Sequence, residues 1–374
     1  MRVHHLAKEL SRSNRVSLLA YGDGPGTPNN DAFVAETLVS RSNAPNRKRR
    51  AQLASVVSRG SYHLGGLRSH AMQDRLSDLL RRERFDIVQL ESSQMSFLEC
   101  PPDTCTVLDE HNVEYTLLSR LATLESSPAR RAFGQLESAK ARREEAAAWR
   151  RSTGCVFTSE VDLQEMRRSA AATPACVVPN GVDLAYFRPT RAIPAADTLV
   201  YTGTMNYRPN ADAVAFFVRE VLPRILRLRA AVRLVVVGQG APPSLLRLAS
   251  DHVEFTGAVE DVRPYLARAA VVVAPIRIGS GTRLKIMEAM AMARPVVTTT
   301  IGCEGLPVLD GEHVLVANDP ESFSESTVRL LSERRFATEL AQSGLALAER
   351  EFGWASCAAR LERFYDQITT TKHT

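Results

Sequence analysis

Between Pro275 and Met290 the chain sets a Gly279-Ser280-Gly281-Thr282 turn after an apolar run and before a helical one, with Arg283, Lys285 and Glu288 following closely. Such a turn offers consecutive backbone N–H groups to an anion, and the helix dipole reinforces them. Lys285 adds a point charge suited to phosphate. Glu288, one turn further on, is spaced to accept hydrogen bonds from the two hydroxyls of a ribose. Taken singly, Lys285 reads as a solvated lysine and Glu288 as an ordinary helical glutamate. Their company with the glycine turn favours nucleotide chemistry.

Two further glycine turns end apolar runs. Tyr201-Thr202-Gly203-Thr204-Met205-Asn206 precedes a helix with Arg208 and Pro209 near its start. Glycine there lets backbone approach a ligand closely, and a helix N-terminus favours negative charge. Val237-Gly238-Gln239-Gly240 is the other turn, and it lacks the third small residue of a dinucleotide fingerprint. In the first half, Asp109-Glu110-His111-Asn112-Val113-Glu114 puts a histidine at a strand end, facing a ligand cleft. A lone histidine is more often structural, so His111 needs support from elsewhere. The chain has no nucleophile elbow, no Walker lysine loop and no Asp-x-Asp metal motif.

The elements that position these groups alternate. Leu199–Tyr201, Leu234–Val237, Val271–Val273 and Val296–Val297 read as short buried strands. Ala211–Leu226 and Ile286–Met292 between them have helical periodicity. This pattern predicts βαβ units and a parallel sheet covered on both faces. The first half repeats it more loosely. Strands are expected at Val16–Ala20, Ile87–Leu90, Val107–Leu108 and 154–158, and a long charged helix at 127–151. The proline-bearing stretch 188–197 reads as a linker. The expected organisation is an N-terminal domain over 1–187 and a C-terminal domain over 198–352, with a last helix over 354–374. Met1–Leu10 reads as an amphipathic helix, so the first domain begins one element late, without the opening strand of a doubly wound fold.

Composition excludes other classes. At 374 residues, 44% hydrophobic and 24% charged, the chain fits two soluble domains. Its net charge of +5 lies wholly in residues 1–151, where 23 Lys and Arg face 18 Asp and Glu; the remainder holds 24 of each. A basic half would suit an anionic bilayer or a phosphorylated substrate, whereas the run Arg47-Lys48-Arg49-Arg50 lacks the interleaved aromatics of a nucleic-acid surface. The six cysteines show neither paired nor metal-ligand spacing and read as reduced thiols of a cytoplasmic protein. No apolar run approaches the ~20 residues of a membrane helix, and none reads as a secretory signal. Contact with a membrane would be peripheral, at its inner face.

In order and spacing, Val178-Pro179-Asn180-Gly181-Val182-Asp183, Gly203-Thr204-Met205, Val237-Gly238-Gln239-Gly240, Phe255 to Val262 and Leu284 to Met292 resemble glycosyltransferase family 4. The nearest flavour is the bacterial exopolysaccharide group that includes PEP-CTERM-associated sugar transferases. Gly203 to Asn210, Lys285 to Met292 and Asp109 to Tyr115 carry that likeness. The resemblance implies a GT-B fold of two Rossmann-like domains facing a cleft, with the final helix packed back on the first domain. It implies a retaining, metal-independent, hexosyl-type transferase that needs no cofactor. The donor would be a nucleotide sugar, with UDP as the expected base carrier, and the acceptor a lipid-linked, polysaccharide or small-molecule one. Glu288 would bind the ribose and the Val259 backbone the base. Gly203, Thr204 and Lys285 would hold the pyrophosphate, with Gly238 and the 279–283 turn beside them. His111 would contact the donor sugar, so His111 and Lys285 are the catalytic candidates. The sequence departs from the family in two places. Ser280 stands where a second glutamate precedes Glu288 by eight positions. Thr204 and Asn210 replace a basic pair, for which Arg208, Arg283 or Lys285 would substitute. A nucleotide-binding but catalytically impaired protein and a GT-B-fold epimerase are the alternatives.

Overall fold

The computed structural model describes residues 2–22, 35–40, 55–123, 125–279 and 283–372, and forms two compact units. The basic run at 47–50 and the turn residues Ser280, Gly281 and Thr282 lie outside the described residues. The N-terminal unit comprises Met1–Pro179 with Cys357–Thr374, and the C-terminal unit Asn180–Ser356.

The chain crosses between units ahead of the proline-bearing stretch, not within it. Val182 donates to the Phe352 carbonyl at 2.8 Å, and Val182 and Phe187 bury their side chains in the second unit's core. A Cβ on Gly181 would sit 2.4 Å from the Trp354 ring. These contacts hold residues 180–187 to the second unit, although their sequence continues the first.

In order, the N-terminal unit contains α1 (Arg2–Leu10), β1 (Ser17–Gly22), β2 (Ala35–Ser40), α2 (His70–Arg82), β3 (Ile87–Glu91), β4 (Cys105–Glu110), α3 (Glu114–Thr123), α4 (Pro128–Arg151), β5 (Gly154–Phe157), α5 (Glu160–Ala170) and β6 (Ala175–Val177). Its strands form two parallel groups among the described residues, β1–β2 and β3–β4–β5–β6. Trp149 of α4 is fully buried, packed edge-on to Phe157 with centroids 6.0 Å apart. Glu145 on the same helix accepts from the Glu114 and Tyr115 N–H groups at 2.8 Å each, capping α3.

The C-terminal unit contains β7 (Thr198–Thr202), α6 (Arg208–Phe216), β8 (Arg233–Val237), β9 (Val253–Gly257), β10 (Val271–Ala274), α7 (Leu284–Ala291), β11 (Val296–Thr298), β12 (Leu315–Val316), α8 (Pro320–Ser332) and α9 (Arg334–Glu351). The last helix, α10 (Trp354–Lys372), starts in this unit and continues into the first. The six strands are all parallel, in the order β12-β11-β10-β7-β8-β9. Their runs of valine and leucine are explained by burial on both faces. Leu199, Tyr201, Leu234, Val236, Val271 and Val273 face one core, and Val200, Val237, Val272 and Ala274 the other. Each such side chain contributes about 1.5–3 kcal/mol on burial. The strand order reverses between β7 and β10, which puts a ligand crevice at their carboxyl ends.

Candidate active site

The first two glycine turns are laced together beyond the ends of neighbouring β7 and β8. Gly203 donates to the Val237 carbonyl at 2.9 Å, and Met205 to that of Gln239 at 2.7 Å. Gly203 and Gly238 have φ of +149° and +144°, which disfavour any side chain. A Cβ on Gly238 would lie 1.9 Å from the Gly203 carbonyl oxygen, so the contact is backbone against backbone. Thr204 is exposed on this turn, as is Arg208 at the first position of α6.

Across the switch point, α7 brings Lys285 to the same turn. Its Nζ lies 2.8 Å from Tyr201 Oη, 3.0 Å from Asn210 Oδ1 and 4.0 Å from the Tyr201 ring centroid. A Cβ on Gly203 would meet this amine at 2.9 Å. Desolvation, with the nearby Arg283 charge, draws the Lys285 amine down to about 7 against the pull of Glu288. Burial pushes the Glu288 carboxyl up to about 7, opposed by Lys285. A weakly hydrated amine and a carboxyl one turn apart are thus poised for a ligand carrying both anionic and hydroxyl groups. Gly279 has φ of +134°, and a Cβ there would strike Arg283 Nη2 at 2.6 Å, so the guanidinium lies against this glycine. Val259, in the loop after β9, packs against the core on the α7 side. Arg277 pairs with Asp212 at 2.8 Å and stacks on Phe216.

In the N-terminal unit His111 follows the last residue of β4. Its Nε2 lies 2.9 Å from Glu91 Oε2 at the end of β3. Burial draws the imidazole down, but the Glu91 hydrogen bond and the Asp109 and Glu91 charges outweigh it, and its pKa stands above the usual value. Glu91 is held in turn: Gln89 Nε2 donates to its Oε1 at 2.7 Å, and Tyr365 of α10 donates to Gln89 Oε1. Asp109, fully buried, accepts from Arg2 Nε and Nη2 at 2.9 Å each, and Arg2 also donates to the Pro179 carbonyl at 3.0 Å. The donor atoms of Glu91, Asp109 and His111 lie within 4.8 Å of one another. Both Asp109 oxygens face a guanidinium and both Glu91 oxygens are hydrogen-bonded, a donor set already satisfied by protein groups.

The structure thus gathers Gly203, Thr204, Gly238, Gly279, Arg283, Lys285 and Glu288 at one edge of the six-stranded sheet, while His111 belongs to the other unit. Sequence reasoning missed Arg2, Glu91, Tyr201 and Asn210 as partners of these groups. Only Asn210 had carried a signal, as the residue standing where a basic one is expected.

Comparison with known proteins agrees with this geometry. Residues 1–186 match the model described as Glycosyltransferase Family 4, and residues 196–333 the model described as Glycosyl transferases group 1. The chain is 28% identical over 229 residues to a phosphatidylinositol N-acetylglucosaminyltransferase of Arabidopsis thaliana, covering 57% of this chain and 48% of that one. It is 25% identical to the phosphatidyl-myo-inositol mannosyltransferase of Mycobacterium leprae, covering 54% and 56%. The matches thus span about half the length of these relatives. Sucrose-phosphate synthase from Thermosynechococcus elongatus superposes with a TM-score of 0.74 at 16% identity, covering 99% and 93% of the two chains. HepE of Anabaena, crystallised with UDP and glucose, superposes at 0.68 and 13% identity, covering 97% and 95%. The fold is GT-B, and the chain belongs to glycosyltransferase family 4.

Proposed function

We propose that this protein transfers a hexosyl group from a nucleoside-diphosphate sugar, with UDP as the carrier, to a lipid-linked or saccharide acceptor, with retention at the anomeric carbon. The observation that carries this reading is the meeting of Lys285 with the Gly203 turn at the carboxyl ends of β7 and β10. Backbone N–H groups and a desolvated amine there are matched to a pyrophosphate, and Glu288 one turn away to the ribose. No metal is needed on this reading: Lys285 and the neighbouring Arg283 stabilise the leaving diphosphate, where charge develops as the glycosidic bond breaks. His111 contacts the donor sugar.

UDP is favoured by HepE, whose crystals hold UDP and glucose. A lipid-linked acceptor is favoured by the two relatives, both of which are named as transferases of phosphatidylinositol. No helix among the described residues is long and apolar enough to cross a membrane. Such an acceptor would be met at the bilayer surface, where the basic N-terminal half is attracted to anionic lipid.

The test is a thermal-shift panel with UDP, GDP, ADP and their sugar conjugates, on this protein and on Glu288→Ala. The expected result is a UDP-dependent rise in Tm seen only in the parent. NMR of the product made in EDTA should then show the donor's anomeric configuration. A rise with GDP alone reassigns the base, an inverted product removes retention, and no shift with any nucleotide removes the donor site.

A further inference from the structure

Asn210 stands on the first turn of α6, outside the residues that family resemblance assigns to the donor. Its amide connects three elements. Oδ1 accepts from Tyr201 Oη at 2.8 Å and from Lys285 Nζ at 3.0 Å, while Nδ2 donates to the Thr204 carbonyl at 2.9 Å. Strand β7, the turn after it and helix α7 are thereby tied through one side chain. The tie lies against the glycine itself, since a Cβ on Gly203 would fall 2.8 Å from Asn210 Nδ2 and 2.9 Å from Lys285 Nζ.

A side-chain amide suits this position for a chemical reason. It presents an acceptor to the amine and a donor to the carbonyl on one rigid plane. A carboxylate would lose the bond to Thr204 and set a negative charge beside the phosphate site. A second ammonium would repel Lys285. As an ammonium, Lys285 has three N–H groups, and Tyr201 and Asn210 take two of them. The third remains for an anion, with the long side chain already held in place.

We infer that Asn210, backed by the Tyr201 hydroxyl, is a positioning residue that fixes the Gly203–Thr204 turn and the Lys285 amine in register for the pyrophosphate of the donor. The inference rests on the donor-site reading above and deepens it. A preorganised amine forfeits little rotamer entropy when the phosphate arrives, so the effect belongs to diphosphate affinity and not to the base.

Ligand-observed NMR titrations of UDP and of uridine, on the parent, Asn210→Ala and Tyr201→Phe, separate these contributions. In Asn210→Ala, UDP affinity should fall about ten- to hundredfold, the loss of a charge-assisted contact, with uridine affinity unchanged within about twofold. Tyr201→Phe keeps the buried ring, so it should fold like the parent and show a smaller loss confined to UDP. Equal UDP affinity in all three proteins overturns the inference and leaves the donor site standing. So does a loss shared equally by UDP and uridine, which is the signature of general unfolding. A parent that binds UDP no better than uridine overturns the pyrophosphate assignment and the inference with it.

Discussion

Arg2 and Asp109, 107 positions apart, form a two-pronged ion pair inside the N-terminal unit, with both charged groups withdrawn from solvent. The first helix is thereby fastened to the end of β4, next to His111. A buried pair contributes little net stability compared with an apolar pair of the same shape, yet removing one partner strands the other charge. Arg2→Ala should therefore cost about 3–5 kcal/mol of unfolding free energy. Urea titration followed at Trp149, in a Trp354→Phe background, measures it. Asp109 is already raised by its burial, which Arg2 partly offsets, so without Arg2 it rises further. A carboxyl with a raised folded pKa supports folding at low pH, and that support is lost as pH rises. The cost of Arg2→Ala should accordingly be smaller at pH 5 than at pH 8. A cost below about 1 kcal/mol at both would show that the pair does not hold Asp109 ionised.

Donor binding should follow a bell-shaped pH profile centred near 7. The charged groups facing Lys285 are Arg283, which lowers its pKa, and Glu288, which raises it; Lys285 in turn faces Glu288. A diphosphate favours the ammonium, so affinity is lost as pH rises through about 7. A ribose hydroxyl donates best to a carboxylate, so affinity is lost as pH falls through about 7. Each limb approaches about tenfold per pH unit, the limit for one proton. UDP-glucose is the probe to use, because its phosphodiester oxygens do not titrate in this range. Lys285→Met should flatten the alkaline limb and Glu288→Gln the acid one. Calorimetry showing flat affinity from pH 6 to 9 in the parent would separate both groups from the donor.

The C-terminal unit was legible in the sequence because its strands are buried on both faces, so their composition alone distinguishes them. The runs around Val235, Val272 and Val296 need no partner to be recognised. Strand β2 was missed, since Ala35-Glu36-Thr37-Leu38 reads neither as an apolar run nor as an alternation. Lys285 and Glu288 were legible through their offset from the glycine turn. Tyr201 and Asn210 were not, because they are set by the approach of β7, α6 and α7, which no local spacing encodes. Arg2 likewise has no meaning until a chain segment 107 residues away meets it. The unit boundary was misplaced because proline marks where a chain cannot continue an element, and not which core its neighbours enter. Val182 and Phe187 decide that by burial.

Glu91 should govern the protonation of His111. Glu91→Gln removes the carboxylate that outweighs desolvation, leaving burial to act alone, so the imidazole pKa should fall below its parent value. The proton NMR titration of the His111 ring, assigned through His111→Ala, reads this directly. The His111–Glu91 contact supports folding fully below the unfolded histidine value and ceases to do so as pH rises through the folded one. On the reaction proposed here, His111→Ala should lower kcat about ten- to hundredfold, the loss of one charged hydrogen bond, while UDP affinity holds. An unchanged His111 titration in Glu91→Gln would show that Glu91 does not set it.

Gly238 and Gly257 offer a matched pair for testing whether the two laced turns are the floor of the donor site. Both have positive φ, +144° and +69°, so alanine at either is strained in the backbone. They differ in what a methyl group would meet. At Gly257 there is nothing within 4 Å, and the cost should be limited to the left-handed conformation, about 1–2 kcal/mol. At Gly238 the methyl would land 1.9 Å from the Gly203 carbonyl, a backbone atom that cannot rotate away. The turn after β7 must then move, taking Thr204 and the surroundings of Lys285 with it. Gly238→Ala should therefore abolish the UDP-induced Tm rise even where the protein remains folded by circular dichroism, whereas Gly257→Ala should retain it from a lower baseline. Retention of the full rise in Gly238→Ala would mean that the contact between the turns does not shape the site.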